Sequence, residues 1–348
     1  MTGKLDKCFV LFSCCLITKG VNRSIIIDTQ RNEFHFIPNE LCELIEEFRA
    51  EPVRQVMSRF TDAGERDIFL EYLNFFEQNE LGFYTNNPDS FPRIDNEFRS
   101  LNAISNAIID IRNVVNYDID AKLQELESLG CEAVQIRIFE SLAHQAFDKL
   151  LQSFAGLSFR CVEILMNADE LYDKKHLRKL LKAHPDINKI VLHSSKKNGF
   201  LSLNHYQLLE FKTSVLANRT QCGQIGAKYF IPNLSHVIES QSFNVCLNKK
   251  IAIDEDGFIK NCPSFDQHFG NARESSLTEA MERKGFKDFW ALGKDKIETC
   301  KDCEFRHICT DCRAYIKEEG NLYSKPAKCG YDPYTNIWQD WSLNALRK

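Results

Sequence analysis

The stretch that decides the fold is Cys300-Lys-Asp-Cys-Glu-Phe-Arg-His-Ile-Cys-Thr-Asp-Cys312, in which four cysteines fall within thirteen residues. Cys246 and Cys262 precede it and Cys329 follows it. Two residues between cysteines allow both sulfurs to reach one metal centre from a single turn. One tetrahedral ion needs only four ligands, so the seven ordered cysteines predict two metal centres.

The amino-acid composition argues against several other classes of protein, such as those that bind nucleic acid or lie in a membrane. The chain has 348 residues, a net charge of −5 and a sequence pI of about 6.0, so no basic surplus predicts binding to nucleic acid or to an anionic membrane. The apolar run at residues 9–17 is predicted to be a strand and not a signal peptide, and no run is long enough to span a bilayer. We therefore expect a cytoplasmic protein whose 14 cysteines are thiols and metal ligands. Disulfides are the alternative, and they would need an oxidising compartment.

Residues 1–92 are predicted to form three strands followed by three helices. The strand-like segments are residues 8–17, 23–28 and 33–37, and the helices are expected from residue 39, near 52–60 and over 68–76. Pro88 and Pro92 mark a linker. This layout predicts a small unit of winged-helix type. Its third helix is acidic, which argues against DNA binding.

Residues 100–240 alternate strand and helix. Strands are expected at 107–111, 133–139, 161–166 and 189–193, with helices at 120–129, 142–154 and 174–183 between them. This rhythm predicts an α/β protein with a parallel sheet or a truncated βα barrel, since four units are too few for a closed eight-stranded barrel. Residues 241–348 form the cysteine-rich domain. A hairpin around Glu255-Asp256-Gly257 is expected to bring Cys246 and Cys262 together.

The order and spacing of the seven cysteines, with Gly257 five residues before Cys262, resemble a SPASM domain. The resemblance covers about 85 residues, from Cys246 to Cys329. It implies one or two [4Fe–4S] clusters. The ligands that it implies for an outer cluster are Cys300, Cys303, Cys309 and Cys329, and those for an inner cluster are Cys246, Cys262 and Cys312.

The fourth inner ligand is left open by the sequence. Ser240 stands where family members with a complete inner site carry a further cysteine, so Cys222 is a possible substitute, and an iron open to substrate is the alternative. Two residues separate Cys309 from Cys312, one fewer than the family usually has. A zinc-stabilised interaction module is therefore the rival reading of the same cysteines. The other cysteines lie in apolar elements and are predicted to be structural thiols: Cys8, Cys14, Cys15, Cys42, Cys131 and Cys161.

The layout of residues 1–92 resembles the PqqD-like leader-recognition domain of ribosomal peptide maturation systems. The resemblance implies that the leader of a precursor peptide adds as a strand beside Glu33, Phe34, His35, Phe36 and Ile37. A winged helix without a ligand is the alternative.

The loop that follows residues 107–111 has no cysteine, so the Cys-x3-Cys-x2-Cys motif of radical-SAM enzymes is missing. We therefore do not expect this chain to cleave S-adenosylmethionine. The combination of a leader-recognition unit, a barrel without that motif and a SPASM domain resembles the SPASM-domain peptide maturase of grasp-with-spasm systems. The resemblance implies two partners, a ribosomal precursor peptide and an ATP-grasp peptide ligase. The resemblance supplies no catalytic residue, so the protein could be a recognition subunit or a redox enzyme, and the sequence leaves both alternatives open.

Overall fold

The computed structural model describes residues 3–168 and 174–339. Its strands are β1 Cys8–Leu11, β2 Cys15–Lys19, β3 Ser24–Asp28, β4 Glu33–Ile37, β5 Gly82–Thr85, β6 Asn106–Ile111, β7 Ala133–Ile138, β8 Cys161–Asn167, β9 Lys189–His193, β10 Gly199–Ser202, β11 Leu208–Phe211, β12 Lys250–Ile253, β13 Ile259–Lys260, β14 Tyr331–Asp332 and β15 Ile337–Trp338. Its helices are α1 Asn39–Ala50, α2 Val53–Met57, α3 Ala63–Gln78, α4 Ile119–Ser128, α5 His144–Gln152, α6 Lys174–Ala183, α7 Leu234–Ser242 and α8 Leu277–Glu282. No helix within this described part of the chain is long and apolar enough to cross a membrane.

The first unit is an antiparallel sheet packed on helices. β2, β3 and β4 pair in that order, while β1 pairs with β5. One strand was predicted over residues 8–17, and this was wrong. The Cys15 amide donates to the Phe12 carbonyl and closes a turn, so β1 and β2 enter different sheets. The buried side of α1, with Leu41 and Phe48, packs on this core because its apolar residues recur at helical spacing.

The largest sheet has the order β10-β11-β9-β8-β7-β6-β12-β13. The pairs from β11 to β12 are parallel, and antiparallel β10 and β13 flank them. This confirms a mixed α/β fold with a large, mostly parallel sheet. The winged-helix and truncated-barrel assignments stay predictions. β12 pairs with β6, so the sheet continues across residue 240, where the sequence predicted a domain boundary. The predicted last domain also includes residues 340–348, which lie outside the described residues.

The two faces of this sheet differ in polarity. In β6, Ile109 and Ile111 belong to the apolar core that includes residues of α4, α5 and α6, and strand alternation places Asp110 on the opposite face. There the buried Asp110 accepts two hydrogen bonds from Arg137 of β7, at 2.6 and 2.7 Å. The polar face therefore carries a fully paired buried ion pair close to the carboxyl ends of the strands.

Candidate metal centres

Three of the predicted ligands meet at the edge of the large sheet. Cys246 lies before β12 and Cys262 follows β13, so the hairpin brings the two thiols close enough for Cys246 to influence the ionisation of Cys262. Burial, and after it the Cys246 thiol, raise the pKa of Cys262 to about 12. Cys312 belongs with them, because burial and then the same Cys246 thiol raise its pKa to about 11. The predicted inner ligands are thus assembled by the hairpin and by the end of the cysteine stretch.

Cys222 belongs to the same set. Its thiol contributes to the raised pKa values of Cys246, Cys262 and Cys312. The next residue, Gly223, has φ +78, and a Cβ built there would lie 2.7 Å from the Cys312 Sγ. The chain can pass this close to Cys312 only because position 223 has no side chain. We call Cys222, Cys246, Cys262 and Cys312 the inner group.

Contacts from the cysteine-rich region hold the loop that carries Cys222. Lys328 donates to the carbonyl of Cys222 and to that of Thr220. Tyr315 donates through its hydroxyl to the Arg219 carbonyl at 3.2 Å. The loop is therefore fixed over the inner group, although it lies far upstream of the hairpin in the sequence.

The remaining predicted ligands form a second set. Cys300, Cys303, Cys309 and Cys329 are linked by electrostatic influence, and we call them the outer group: Cys329 acts on Cys300 and Cys309, and Cys300 and Cys309 act on Cys303. Burial is the largest cause that raises the pKa of Cys309 to about 12, with smaller contributions from the Cys329 and Cys300 thiols. Burial also holds the pKa of Cys303 well above its usual range. Thiols this deeply buried ionise when a metal supplies the compensating charge, which is the chemistry of a thiolate metal site.

The distances between the sulfur atoms within each group distinguish a site for one zinc ion from a site for an iron–sulfur cluster. Four thiolates around one zinc ion, each at about 2.3 Å, lie roughly 3.8 Å from one another. Among the described residues, no three sulfurs of the inner or outer group lie within 4.8 Å of one another. Both groups are wider than a mononuclear zinc site, and this spacing favours a cluster of several iron atoms.

Comparison with known proteins agrees with this chemistry. Residues 246–304 match the SPASM iron-sulfur cluster-binding domain. The matched segment contains Cys246, Cys262, Cys300 and Cys303, while the other members of the two groups lie outside it. None of the curated proteins that were compared with the chain matches it.

Two similar solved structures are crystal structures of Streptococcus suis SuiB. One is 14% identical and has a TM-score of 0.40, and it covers 92% of this chain and 99% of that chain. The other, SuiB bound to S-adenosylmethionine, is 13% identical with the same TM-score and the same coverage. These scores are too low to support an argument about fold or function.

Arg306, His307 and Arg313 are basic residues near the cysteine stretch, and each of them bonds to oxygen atoms. Arg306 donates to Asp295 at 2.7 Å and to the Lys19 carbonyl at 2.6 Å. His307 contacts the Ser240 hydroxyl at 3.1 Å, and Arg313 donates to the carbonyls of Leu322 and Ser324. These side chains brace the cysteine stretch against its neighbours.

Two lysines that the sequence did not point to contact the cysteine groups. The Lys250 Nζ lies 3.5 Å from the Cys246 Sγ. Lys294, only 5% exposed, lies beside Cys309 and Cys300. The available signal was weak: Lys250 is a basic residue at the start of an apolar strand, four positions after a predicted ligand.

Glu33–Ile37, the predicted peptide-binding strand, is β4 at the edge of the first sheet. Phe34 and Phe36 pack edge-on against Phe305 of the cysteine stretch, with ring centroids 5.7 and 5.9 Å away. His35 contacts Phe75 of α3. An open groove of about 360 Å³ is lined by residues 32–35 and by residues 227, 230 and 232.

The turn between β2 and β3 fixes the first unit to the outer group. The Val21 amide donates to the Asp302 carbonyl at 2.8 Å. Arg23 donates to the buried Glu304 at 2.7 Å, and its guanidinium lies 3.8 Å from the centre of the Phe36 ring. The edge strand β4 is therefore held directly against the outer group.

The cysteines predicted to be structural fall outside both groups. Cys8, Cys15 and Cys131 are buried, whereas Cys161, predicted to be in the core, is exposed at the first residue of β8. Ligand atoms of Cys14, Cys15 and Asp28 lie within 4.8 Å of one another. The Asp28 carboxylate already accepts from two backbone amides and from Arg31, so it serves there as a turn anchor.

Proposed function

We propose that the protein binds two [4Fe–4S] clusters, one in the inner group and one in the outer group, and works in the maturation of a ribosomally synthesised peptide. The observation that carries the first part is the presence of two four-thiol groups, wider than zinc sites, in a region that begins with a SPASM match. When bound, such clusters supply one-electron redox chemistry and hold the cysteine-rich region together.

Cys222 decides what the inner group can do. With three cysteines, one iron of a cubane cluster would stay open to a substrate. The electrostatic influence of Cys222 on the other three thiols and the close approach of Gly223 to the Cys312 Sγ support a complete set of four ligands. We therefore propose a closed inner centre, which suits electron transfer or a structural role and leaves no iron for direct coordination of the peptide.

The metal content of protein purified without oxygen tests this part. We expect about eight irons with matching sulfide and a broad absorption band in the visible range. Cys222→Ser should reduce the iron content or change the spectrum of one centre, while Cys161→Ser, at an exposed cysteine outside both groups, should leave both unchanged. Colourless wild-type protein that contains zinc would refute the cluster proposal and favour the interaction module.

The second part of the proposal concerns the edge of β4. The Thr29 amide donates to the Cys14 carbonyl, so every second residue of β3 from there directs its backbone groups toward β2. The residues between them direct theirs toward β4, where they are paired with Glu33, His35 and Ile37. The backbone groups of Phe34 and Phe36 therefore face away from β3. An extended peptide can add to such an edge by backbone hydrogen bonds. The neighbouring groove provides room for side chains of a leader.

A pair of variants at one position tests leader binding. Phe36→Pro and Phe36→Ala both remove the ring, and only proline also removes the outward amide. The probe is a fluorescent synthetic peptide with the leader sequence of a candidate precursor, titrated against loaded protein. We expect the proline variant to bind at least several-fold more weakly than the alanine variant. Equal affinities would place the leader elsewhere.

The resemblance to grasp-with-spasm maturases also supports a proposal about partners. We propose that an ATP-grasp ligase uses the precursor peptide held by this protein. The absence of cysteines from the loop after β6 supports a role without cleavage of S-adenosylmethionine. Co-purification with a co-expressed ATP-grasp ligase, dependent on the precursor peptide, is the expected result. Formation of 5′-deoxyadenosine by reduced, loaded protein would contradict the assigned role.

A further inference from the structure

Each cysteine group contacts one inward-turned lysine. We propose that Lys250 is the charge partner of the inner group and Lys294 that of the outer group, and that each raises the reduction potential of the centre its group would hold. This inference rests on the proposed function and assigns two residues that determine its redox properties.

Lys250 faces only cysteines at close range. Its Nζ donates to the Cys246 Sγ at 3.5 Å, and its ionisation is influenced by Cys246, Cys262 and Cys222. Among the described residues, no carboxylate oxygen lies within 4.0 Å of this ammonium, since no ion pair to Lys250 occurs there. The half-buried Glu239 carboxylate interacts with this charge from further away, so the Cys246 sulfur is a nearer partner of Lys250 than any carboxylate of the described residues.

Lys294 occupies the equivalent place beside the outer group. It is 5% exposed, and its side chain forms a hydrogen bond with the Cys309 thiol. The nearest carboxylate oxygen belongs to Asp311, 3.9 Å away. That carboxylate is already occupied, because it accepts from Arg313 at 2.9 Å and from Asn244 at 2.7 Å. The charge of Lys294 is thus available to the thiols.

The other cations near the groups are engaged elsewhere. Arg137 is paired with Asp110, and Lys328 donates to backbone carbonyls of the loop that carries Cys222. Lys250 and Lys294 differ from them because the ammonium of Lys250 donates to the Cys246 sulfur and that of Lys294 forms a hydrogen bond with the Cys309 thiol.

Electrostatics gives the direction of the effect. One-electron reduction adds one negative charge to a cluster and breaks no bond. A fixed positive charge beside a ligand sulfur in a buried, low-dielectric site favours the state with the added charge. Each lysine should therefore make its own centre easier to reduce, and the effect on the other centre should be smaller because it lies further away.

The test is a potentiometric titration of oxygen-free, iron-loaded protein with dithionite and mediators, followed by electron paramagnetic resonance and absorption. The variants are Lys250→Met and Lys294→Met, which keep most of the side-chain shape and remove the charge. Two neighbouring lysines give matched controls. The Lys249 Nζ donates to the Ser100 and Asn102 carbonyls, and the Lys296 Nζ donates to the Ala291 carbonyl at 2.8 Å.

We expect Lys250→Met to lower one of the two midpoint potentials and Lys294→Met to lower the other. Lys249→Met and Lys296→Met should lower neither. Unchanged potentials in the fully loaded Lys250→Met and Lys294→Met proteins would overturn the inference, as would an equal shift in the controls.

Iron and sulfide are counted before each titration, so a loss of binding is not mistaken for a shift in potential. Where a methionine variant takes up too little iron to be titrated, the midpoint potential of the arginine variant at that position, which keeps the positive charge, is measured instead. A potential close to wild type supports the charge role, and a potential clearly below wild type overturns it. Wild-type protein that takes up no iron would refute the proposed function itself, a result distinct from a loaded protein whose potentials do not respond.

Discussion

Substitution of Gly223 by alanine tests the placement of Cys222 directly. At this position the backbone has φ +78, and a Cβ would lie 2.7 Å from the Cys312 Sγ and 3.2 Å from the Tyr315 ring. Real Cβ atoms do not approach other heavy atoms this closely, so the loop or Cys312 must move. Either movement separates Cys222 from the rest of the inner group.

Two costs add in this variant. A non-glycine residue in the left-handed region costs about 1–2 kcal/mol. Forcing an extra methyl group into a packed site costs roughly a further 1–3 kcal/mol. Gly156 separates the two costs, because its φ is also +78 and nothing lies within 4 Å of a Cβ built there. Gly156→Ala should therefore show the backbone cost alone.

The assay is thermal unfolding of each loaded variant without oxygen, together with its iron content. We expect Gly223→Ala to unfold at a lower temperature than Gly156→Ala and to lose iron from one centre. Gly156→Ala should retain wild-type iron. If both variants unfold at the same temperature with full iron, the loop does not lie against Cys312 as described, and the reasoning that places Cys222 in the inner group fails.

Two further substitutions test the docking of the first unit and the pH response of the core. Arg23→Met leaves the buried Glu304 without its cation and should cost about 3 kcal/mol in urea unfolding, whereas Lys19→Met, in an exposed ion pair, should cost less than about 1 kcal/mol. Burial lowers the pKa of His193, so below about pH 6.5 the unfolded chain binds a proton that the folded chain does not, and stability falls as the pH drops. In urea denaturation at several pH values, the free energy of unfolding of His193→Asn should therefore fall less steeply with decreasing pH than that of the wild type. The same change at the exposed His205 should leave the slope as it is. Identical slopes for His193→Asn and the wild type would contradict the assigned burial effect.

The sequence predicted the features that depend on local pattern. Helix α6 lies where its spacing predicted it, and the hairpin brings Cys246 and Cys262 together as expected from Glu255-Asp256-Gly257. The turn residues of the hairpin and the apolar periodicity of α6 are each encoded within a few neighbouring residues.

Features that depend on distant contacts were not predictable in the same way. The pairing of β12 with β6 joins segments about 140 residues apart. The place of Cys222 depends on Gly223, Tyr315 and Lys328, which have no spacing signature. The exposure of Cys161 follows from its position at the very start of β8, where a one-residue shift in a boundary changes burial.

The positions of the two cysteine groups give them different structural consequences. Cys222 follows β11 on one side of the large sheet, and Cys262 follows β13 at the other edge, so a metal centre in the inner group would tie together segments that leave opposite sides of that sheet. Phe305 lies between Cys303 and Cys309 of the outer group in the sequence, and Phe34 and Phe36 of the edge strand pack on it.

Since a ligand that binds only the folded form stabilises it, each centre should stabilise a different interface. Loss of the outer centre should therefore loosen β4 and weaken leader binding, while loss of the inner centre should loosen the hairpin against β6. Hydrogen exchange of residues 20–37 and 246–262, compared between Cys303→Ser and Cys222→Ser proteins, distinguishes the two. Equal loosening of both segments in both variants would mean that the two centres stabilise the fold as one unit.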